Sequence, residues 1–211
     1  MSTSSKAPGC EPIVEKRLSE PDDFARDLPS PPERMPGVMR DAPHPATLPT
    51  EMLLRDCELR TQRRSGPGGQ HRNKTSTAAF LLHRPTGIVA EATERRSQAE
   101  NREVALQRLR LRLATEVRSP SVLDQEVDDE ERALRRRLSD RGLRIARDNP
   151  IRPAVLALLL NDLHASGGQP SVVAPIWRTT TSAVVRFTKA HPPAFTVLNK
   201  IRSHHGRGPL K

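Results

Sequence analysis

Several features that would decide a protein's class are missing from this chain. It has no long apolar run: the longest, Ala154 to Leu160, is far short of a membrane span. It has only two cysteines, Cys10 and Cys57, too few and too far apart for a disulfide framework or a thiolate metal site. Both read as free thiols of a reducing compartment. The first residues contain no apolar stretch of the kind a signal peptide needs. The acids Glu11, Glu15, Glu20, Asp22 and Asp23 are out of place in a transit peptide. The adjacent His204 and His205 have no companion ligands in sequence, so they read as tail residues. A cytoplasmic protein with no membrane partner, metal or cofactor, acting as a monomer, is expected.

What the chain does have is positive charge, unevenly spread. The formal net charge over 211 residues is +10. By segment it is −2 over residues 1–50, +6 over 51–118, −1 over 119–149 and +7 over 150–211. The two basic blocks are the natural contact surfaces for a polyanion, and nucleic acid is the default partner.

The fold class read from these segments is α+β. Ten of the 20 prolines fall within residues 1–50, among Ser and acidic residues, which predicts a largely disordered Pro-rich segment. Residues 51–118 read as a compact domain. Cys57, Leu59 and Thr61 alternate with Glu58 and Arg60 as in a strand. Ala79 to His83 and Ile88 to Ala92 flank the turn Pro85-Thr86-Gly87 as a hairpin. Ser97 and Glu100 have capping-box spacing, and Leu106, Leu109, Leu113 and Val117 form an apolar stripe, which predicts a helix over 97–117. This gives a small sheet packed on a long helix. Residues 119–149 read as a charged amphipathic connector, acids first and arginines after, with a mainly solvated face; an arginine face that touches RNA is the sharper alternative. Residues 150–211 read as a small basic helical module. A helix starting near Pro153 is stopped by Gly167-Gly168, and a short helix around Ala174 precedes a Thr-capped helix from Ser182 to Lys189. That pair has a helix-turn-helix outline, with Arg178 where a turn glycine is usual. A last helix over Ala194 to Ser203 leads into a basic tail.

The stretch RRSGPGGQHRNKT, residues 63–75, carries the chemistry. Adjacent glycines admit backbone conformations closed to other residues and let backbone approach a ligand closely. N–H groups presented in this way can stabilise a developing oxyanion. Gln70 has no useful pKa, so it can only orient, hydrogen-bond or exclude. Arg63, Arg64, His71, Arg72 and Lys74 form a ring suited to phosphates. From GPGGQ alone, a merely flexible glycine loop is an equal reading.

The wider pattern discriminates between these. SGPGGQHRNKTSTA, followed by HRPTGIVAEATERRSQAENREVALQRLRLRLA, resembles the catalytic domain of class I peptide chain release factors and of the related ribosome-rescue hydrolases. The resemblance covers roughly residues 55–118, with its motifs in order. It implies that Gly68, Gly69 and Gln70 enter the peptidyl-transferase centre of the ribosome and promote attack of water on the ester of peptidyl-tRNA. In that reading Gln70 offers its backbone N–H to the oxyanion, and its side chain admits water while excluding larger nucleophiles. Ser65, Gly66 and Pro67 shape the loop. Arg63, Arg64, His71, Arg72, Asn73 and Lys74 contact ribosomal RNA or hold the loop. Arg72 departs from the family, which usually carries Val there.

Two look-alikes are set aside. Gly167-Gly168-Gln169 repeats the tripeptide without its flanking pattern, at a place where a helix needs a stop. Pro45-Ala46-Thr47 mimics a codon-recognition tripeptide but lies in the Pro-rich segment with no β-rich domain around it. The expected activity is therefore peptidyl-tRNA hydrolysis on the ribosome without codon reading, as in rescue of stalled ribosomes. The alternative is a non-catalytic ribosome- or RNA-binding protein that keeps the domain as a docking element.

Overall fold

A computed structural model describes residues 34–62, 78–124, 127, 129–139 and 143–211. The α+β expectation holds. The strands are β1 (Val38–Met39), β2 (Cys57–Gln62), β3 (Ala78–His83), β4 (Ile88–Ala92) and β5 (Val117–Arg118). The helices are α1 (Thr50–Arg55), α2 (Gln98–Glu116), α3 (Asp129–Ser139), α4 (Arg152–Ala165), α5 (Pro170–Ile176), α6 (Thr181–Lys189) and α7 (Pro192–His204).

Strands β2, β3 and β4 form an antiparallel sheet in that order, paired from Cys57↔His83 to Gln62↔Ala78 and from Ala79↔Ala92 to His83↔Ile88. Period-two alternation buries Ile88, Ala90 and Ala92 against α2 and leaves Val89 and Glu91 outside. The β3–β4 turn closes through Gly87, whose φ of 71° suits a residue without a Cβ. Helix α2 starts at the predicted cap: the Ser97 hydroxyl accepts the Glu100 N–H at 3.4 Å. Its stripe of Ala105, Leu109 and Leu113 is fully buried.

Helix α4 is apolar almost all round, which predicts burial on every side. Every residue from Arg152 to Ala165 is buried. It packs on α2 along one side and on α7 and α5 along others. One hydrophobic core therefore runs from Leu81 and Leu109 through Leu159 to Trp177 and Leu198. Among the described residues, no helix is long and apolar enough to cross a membrane.

Two expectations need correction. Residues 34–50 are not a disordered continuation of the Pro-rich segment. Strand β1 pairs parallel to β5, and Pro45–Thr47 forms a 3-10 turn with Pro45 and Ala46 buried. The reason is backbone hydrogen bonding rather than apolar content: the His44 ring donates to the Val117 carbonyl, and Arg110 donates to the Ala46 carbonyl at 3.0 Å. Residues 1–33 lie outside the description. Second, the connector is not a mainly solvated face, since Glu131, Arg135 and Leu138 of α3 are buried. Arg135 reaches across to Asp162 of α4, a carboxylate far away in sequence. The C-terminal tail folds back on α7: Asn199 holds both the N–H and the carbonyl of Leu210, and Arg202 donates to the Gly208 carbonyl.

The helix-turn-helix outline is present. Thr180 caps α6 by accepting the Ala183 N–H at 3.2 Å, Ala174 is buried, and Arg178 sits at φ 45° in the turn. Gly167 and Gly168, at φ 60° and 73°, close α4 through Gly168 N–H to Leu163 O at 2.7 Å and Gly167 N–H to His164 O at 3.2 Å. The second Gly-Gly-Gln is a helix stop.

Candidate active site

The loop singled out by sequence lies outside the described residues. With it go Arg63, Arg64, Ser65, Gly66, Pro67, Gly68, Gly69, Gln70, His71, Arg72, Asn73 and Lys74. The structure defines the frame that carries it. Gln62 and Ala78 are the last paired residues of two adjacent antiparallel strands, so residues 63–77 leave and re-enter the sheet at one end. A hairpin connection needs only about two to five residues, and connections much longer than that in a compact domain are uncommon, being either functional or linker segments.

Beside this end of the sheet runs a cleft of about 280 Å³, lined by Leu59 and Ala79 of the strands and by Gln98, Ala99 and Arg102 of the first turns of α2. Leu59 is 41% exposed, an apolar wall that the sheet leaves uncovered. The β4–α2 turn that borders it is held by a residue sequence reasoning missed. Asn101 is fully buried, accepts the Arg95 N–H and donates to the Arg95 carbonyl, both at 2.9 Å. This two-way amide clamp fixes the turn and leaves the side chains of Arg95 and Arg96 exposed. The available signal was an amide on the apolar face of a helix, four residues after the cap Ser97.

The far side of the sheet is closed by arginines. Strand β4 is an edge strand, and Arg108 donates to the Glu91 carbonyl at 2.7 Å while Arg112 donates to the Val89 carbonyl. Arg108 also pairs with Glu94 at 2.6 Å. These side chains occupy acceptors that another strand would otherwise use. At the opposite end of the sheet, His83 is buried and hydrogen-bonded to Thr86 at 2.7 Å, and its pKa is lowered by burial. It stands at the hairpin turn, away from the loop-bearing end.

None of the five side chains lining the loop-end cleft can exchange a proton at neutral pH. The surroundings of the loop supply an apolar wall, an amide and guanidinium charge. Among the described residues, this end of the sheet can therefore place an anionic group and donate hydrogen bonds to it.

A small antiparallel sheet backed by one long helix thus carries, at one end, the glycine-containing connection of residues 63–77. Residues 48–152 match the RF-1 domain. Through this domain the chain belongs to the class I peptide chain release factor family. It is 48% identical over 69 residues to the mitochondrial peptide chain release factor 1-like protein of Rattus norvegicus, a stretch covering 31% of this chain and 18% of that protein. It is 43% identical over 86 residues to peptide chain release factor 1 of Symbiobacterium thermophilum, covering 41% and 22%. With peptide chain release factor 2 of an Acidovorax species it shares 57% identity over 58 residues, covering 28% and 16%. The chain thus spans about a fifth of the length of these relatives.

Proposed function

We propose that this protein hydrolyses the ester of peptidyl-tRNA on the ribosome, in a cytoplasmic setting and without reading a stop codon. The observation that carries the reading is the Gly68-Gly69-Gln70 tripeptide, with its flanking motifs in order, set between the paired ends of β2 and β3 in a domain of the release-factor family. Gly68 and Gly69 permit the backbone conformation, and the Gln70 N–H donates to the oxyanion formed when water adds to the ester carbonyl. The Gln70 side chain orients the water. Ser65, Gly66 and Pro67 shape the approach, and Arg63, Arg64, His71, Arg72, Asn73 and Lys74 meet ribosomal RNA. Independence of the codon is supported by Pro45-Ala46-Thr47. The tripeptide that mimics a codon reader is packed under α2, with Pro45 and Ala46 buried and only Thr47 partly exposed.

The test is peptide release from ribosomes halted on truncated mRNA. Wild-type protein releases the peptide, and Gly69→Ala loses the activity by on the order of 100-fold or more, the scale of losing one oxyanion donor. Gln70→Ala loses discrimination between water and small alcohols. Full release by Gly69→Ala, or none by wild type, sinks the proposal and leaves the domain as a docking element.

A further inference from the structure

The face of the molecule that holds α6 has three features that the release chemistry does not use. First, from Leu163 to Lys211 the chain contains no Asp or Glu, while it carries Arg178, Arg186, Lys189, Lys200, Arg202, Arg207 and Lys211. A surface built from that segment has no carboxylate of its own to neutralise it. Second, α6 is flanked by two arginine-lined clefts. One, of about 320 Å³, lies where the α5–α6 turn meets α3, between Arg178 and Trp177 on one side and Arg132 and Arg136 on the other. The second, of about 270 Å³, lies along the body of α6, between Arg186 and Phe187 on one side and Arg144 and Ile145 on the other. The connector and the helical module build both clefts together. Glu131 and Asp162 are buried and bonded to Arg135, and exposed Asp129 pairs with Arg132 at 3.7 Å, so the four arginines lining this cleft outnumber these three carboxylates. Third, Arg178 holds a left-handed backbone conformation, φ 45°, at the turn position that suits glycine. An arginine kept where its backbone is disfavoured points to use of the side chain.

The exposed positions of α6 narrow the partner. They are Thr181, Ser182, Arg186 and Lys189, all donors suited to phosphate oxygens, with no Asn or Gln to read adenine and no Asp or Glu to read cytosine. A-form RNA closes its major groove to side chains, so its duplexes are held through backbone contacts, which is what this face supplies.

We infer that the face centred on α6 and rimmed by Arg136, Arg144, Arg178, Arg186 and Lys189 binds the phosphate backbone of double-helical RNA. The inference rests on the ribosomal reading only for the source of that RNA. It gives the molecule a second contact, separate from the 63–77 loop, that is tolerant of sequence and dependent on salt.

The test is fluorescence anisotropy of the full-length protein with labelled RNA hairpins of unrelated sequence, over KCl from about 50 to 300 mM. The variant is the triple substitution Arg136→Ala, Arg144→Ala, Arg186→Ala, and its urea midpoint is measured as the folding control. Wild type binds all hairpins alike, with a steep salt dependence. The triple variant binds about tenfold or more weakly, and its slope of log K against log salt is smaller by about two to three. An unchanged slope in a folded triple variant overturns the inference. So does preference of the wild type for one DNA duplex over every RNA. Gly69→Ala separates the two proposals, because it binds hairpins as wild type does while losing release. Salt-steep binding that the triple variant weakens, in a wild type that releases no peptide, would uphold this inference and reject the hydrolytic one.

Discussion

Asp162 shows how single residues decide this fold. Its carboxylate is fully buried and accepts from the Ser121 hydroxyl at 2.6 Å, the Arg135 guanidinium at 2.8 Å and the Trp177 indole at 2.7 Å. Arg135 also donates to Glu131 at 2.7 Å and lies over the Trp177 ring. Burial alone would depress the Arg135 pKa, but the two carboxylates more than offset it and raise it. The next residue, Asn161, fixes the start of the connector: its amide donates to the Ser119 hydroxyl at 2.7 Å and its oxygen accepts the Ser119 N–H at 3.2 Å. Connector, central helix and helix-turn-helix are thus joined at one carboxylate. Removing one partner of such a buried network leaves an uncompensated charge, which costs about 3–5 kcal/mol. Asp162→Ala should lower the free energy of urea unfolding by that order, whereas Ser121→Ala removes one neutral donor and should cost about 1–2 kcal/mol. Equal small effects from both would show that the network is not the joint described.

At the scale of elements, the two Gly-Gly-Gln tripeptides make the sharpest contrast. A Cβ at Gly168 would lie 2.5 Å from Cγ and 3.1 Å from the backbone nitrogen of Arg202, at a φ of 73°. At Gly167 the nearest atoms are the His205 ring at 3.2 Å, at φ 60°. Both substitutions to Ala are strained, by about 1–3 kcal/mol each, with Gly168→Ala the worse because backbone stands in its way. Thermal unfolding should rank them in that order. Gly168→Ala protein that remains folded should release peptide at the wild-type rate, whereas Gly69→Ala should not. The same contrast explains what was legible in the sequence. The β3–β4 hairpin, α2 with its Ser97 cap, α4 with its glycine stop and the Thr180 cap are local signals, and each was read correctly. The candidate loop is likewise a local signal, residues in a fixed order, and it lies outside the described residues. Its frame was only half legible, because Asn101 works by holding the backbone of a turn six residues earlier. Arg135 on α3 was read as solvated because its partner is Asp162, which only the tertiary fold brings near. Residues 34–50 were read as a tail because their anchors are backbone carbonyls of distant segments, and composition does not report those.

On the scale of the whole molecule, two buried histidines strap residues 34–47 across α2 and α4, and both are held neutral. His44 accepts the Ala46 N–H at Nδ1 and donates from Nε2 to the Val117 carbonyl, and the Nε2 of His164 donates to the Met35 carbonyl at 2.7 Å. Burial, helped by the nearby Arg118 charge, lowers the His44 pKa from 6.5 to about 4. Burial lowers His164 as well, and the hydrogen bond to Met35 only partly opposes it. Burial, helped by the Arg152 and Arg147 charges, lowers His191 in the same direction. The sign follows from proton counting. Above pH 6.5 both folded and unfolded chains carry neutral His44. Between pH 6.5 and 4 the unfolded chain holds a proton that the folded one refuses, so stability falls as pH drops through that window. The slope is about 1.4 kcal/mol per pH unit for one such group, and His44 alone amounts to about 3 kcal/mol by pH 4. A proton on Nδ1 would also face the Ala46 N–H and break that bond, releasing the strap at the point where it crosses α2. Urea midpoints should therefore be flat from pH 8 to 7 and fall steadily from about pH 6.5 to 4.5. In His44→Asn the fall should be shallower, because the amide can still accept the Ala46 N–H but takes up no proton. A wild-type midpoint unchanged between pH 7 and 5, or a His44→Asn profile as steep as wild type, would remove the strap from the account of what holds the molecule together.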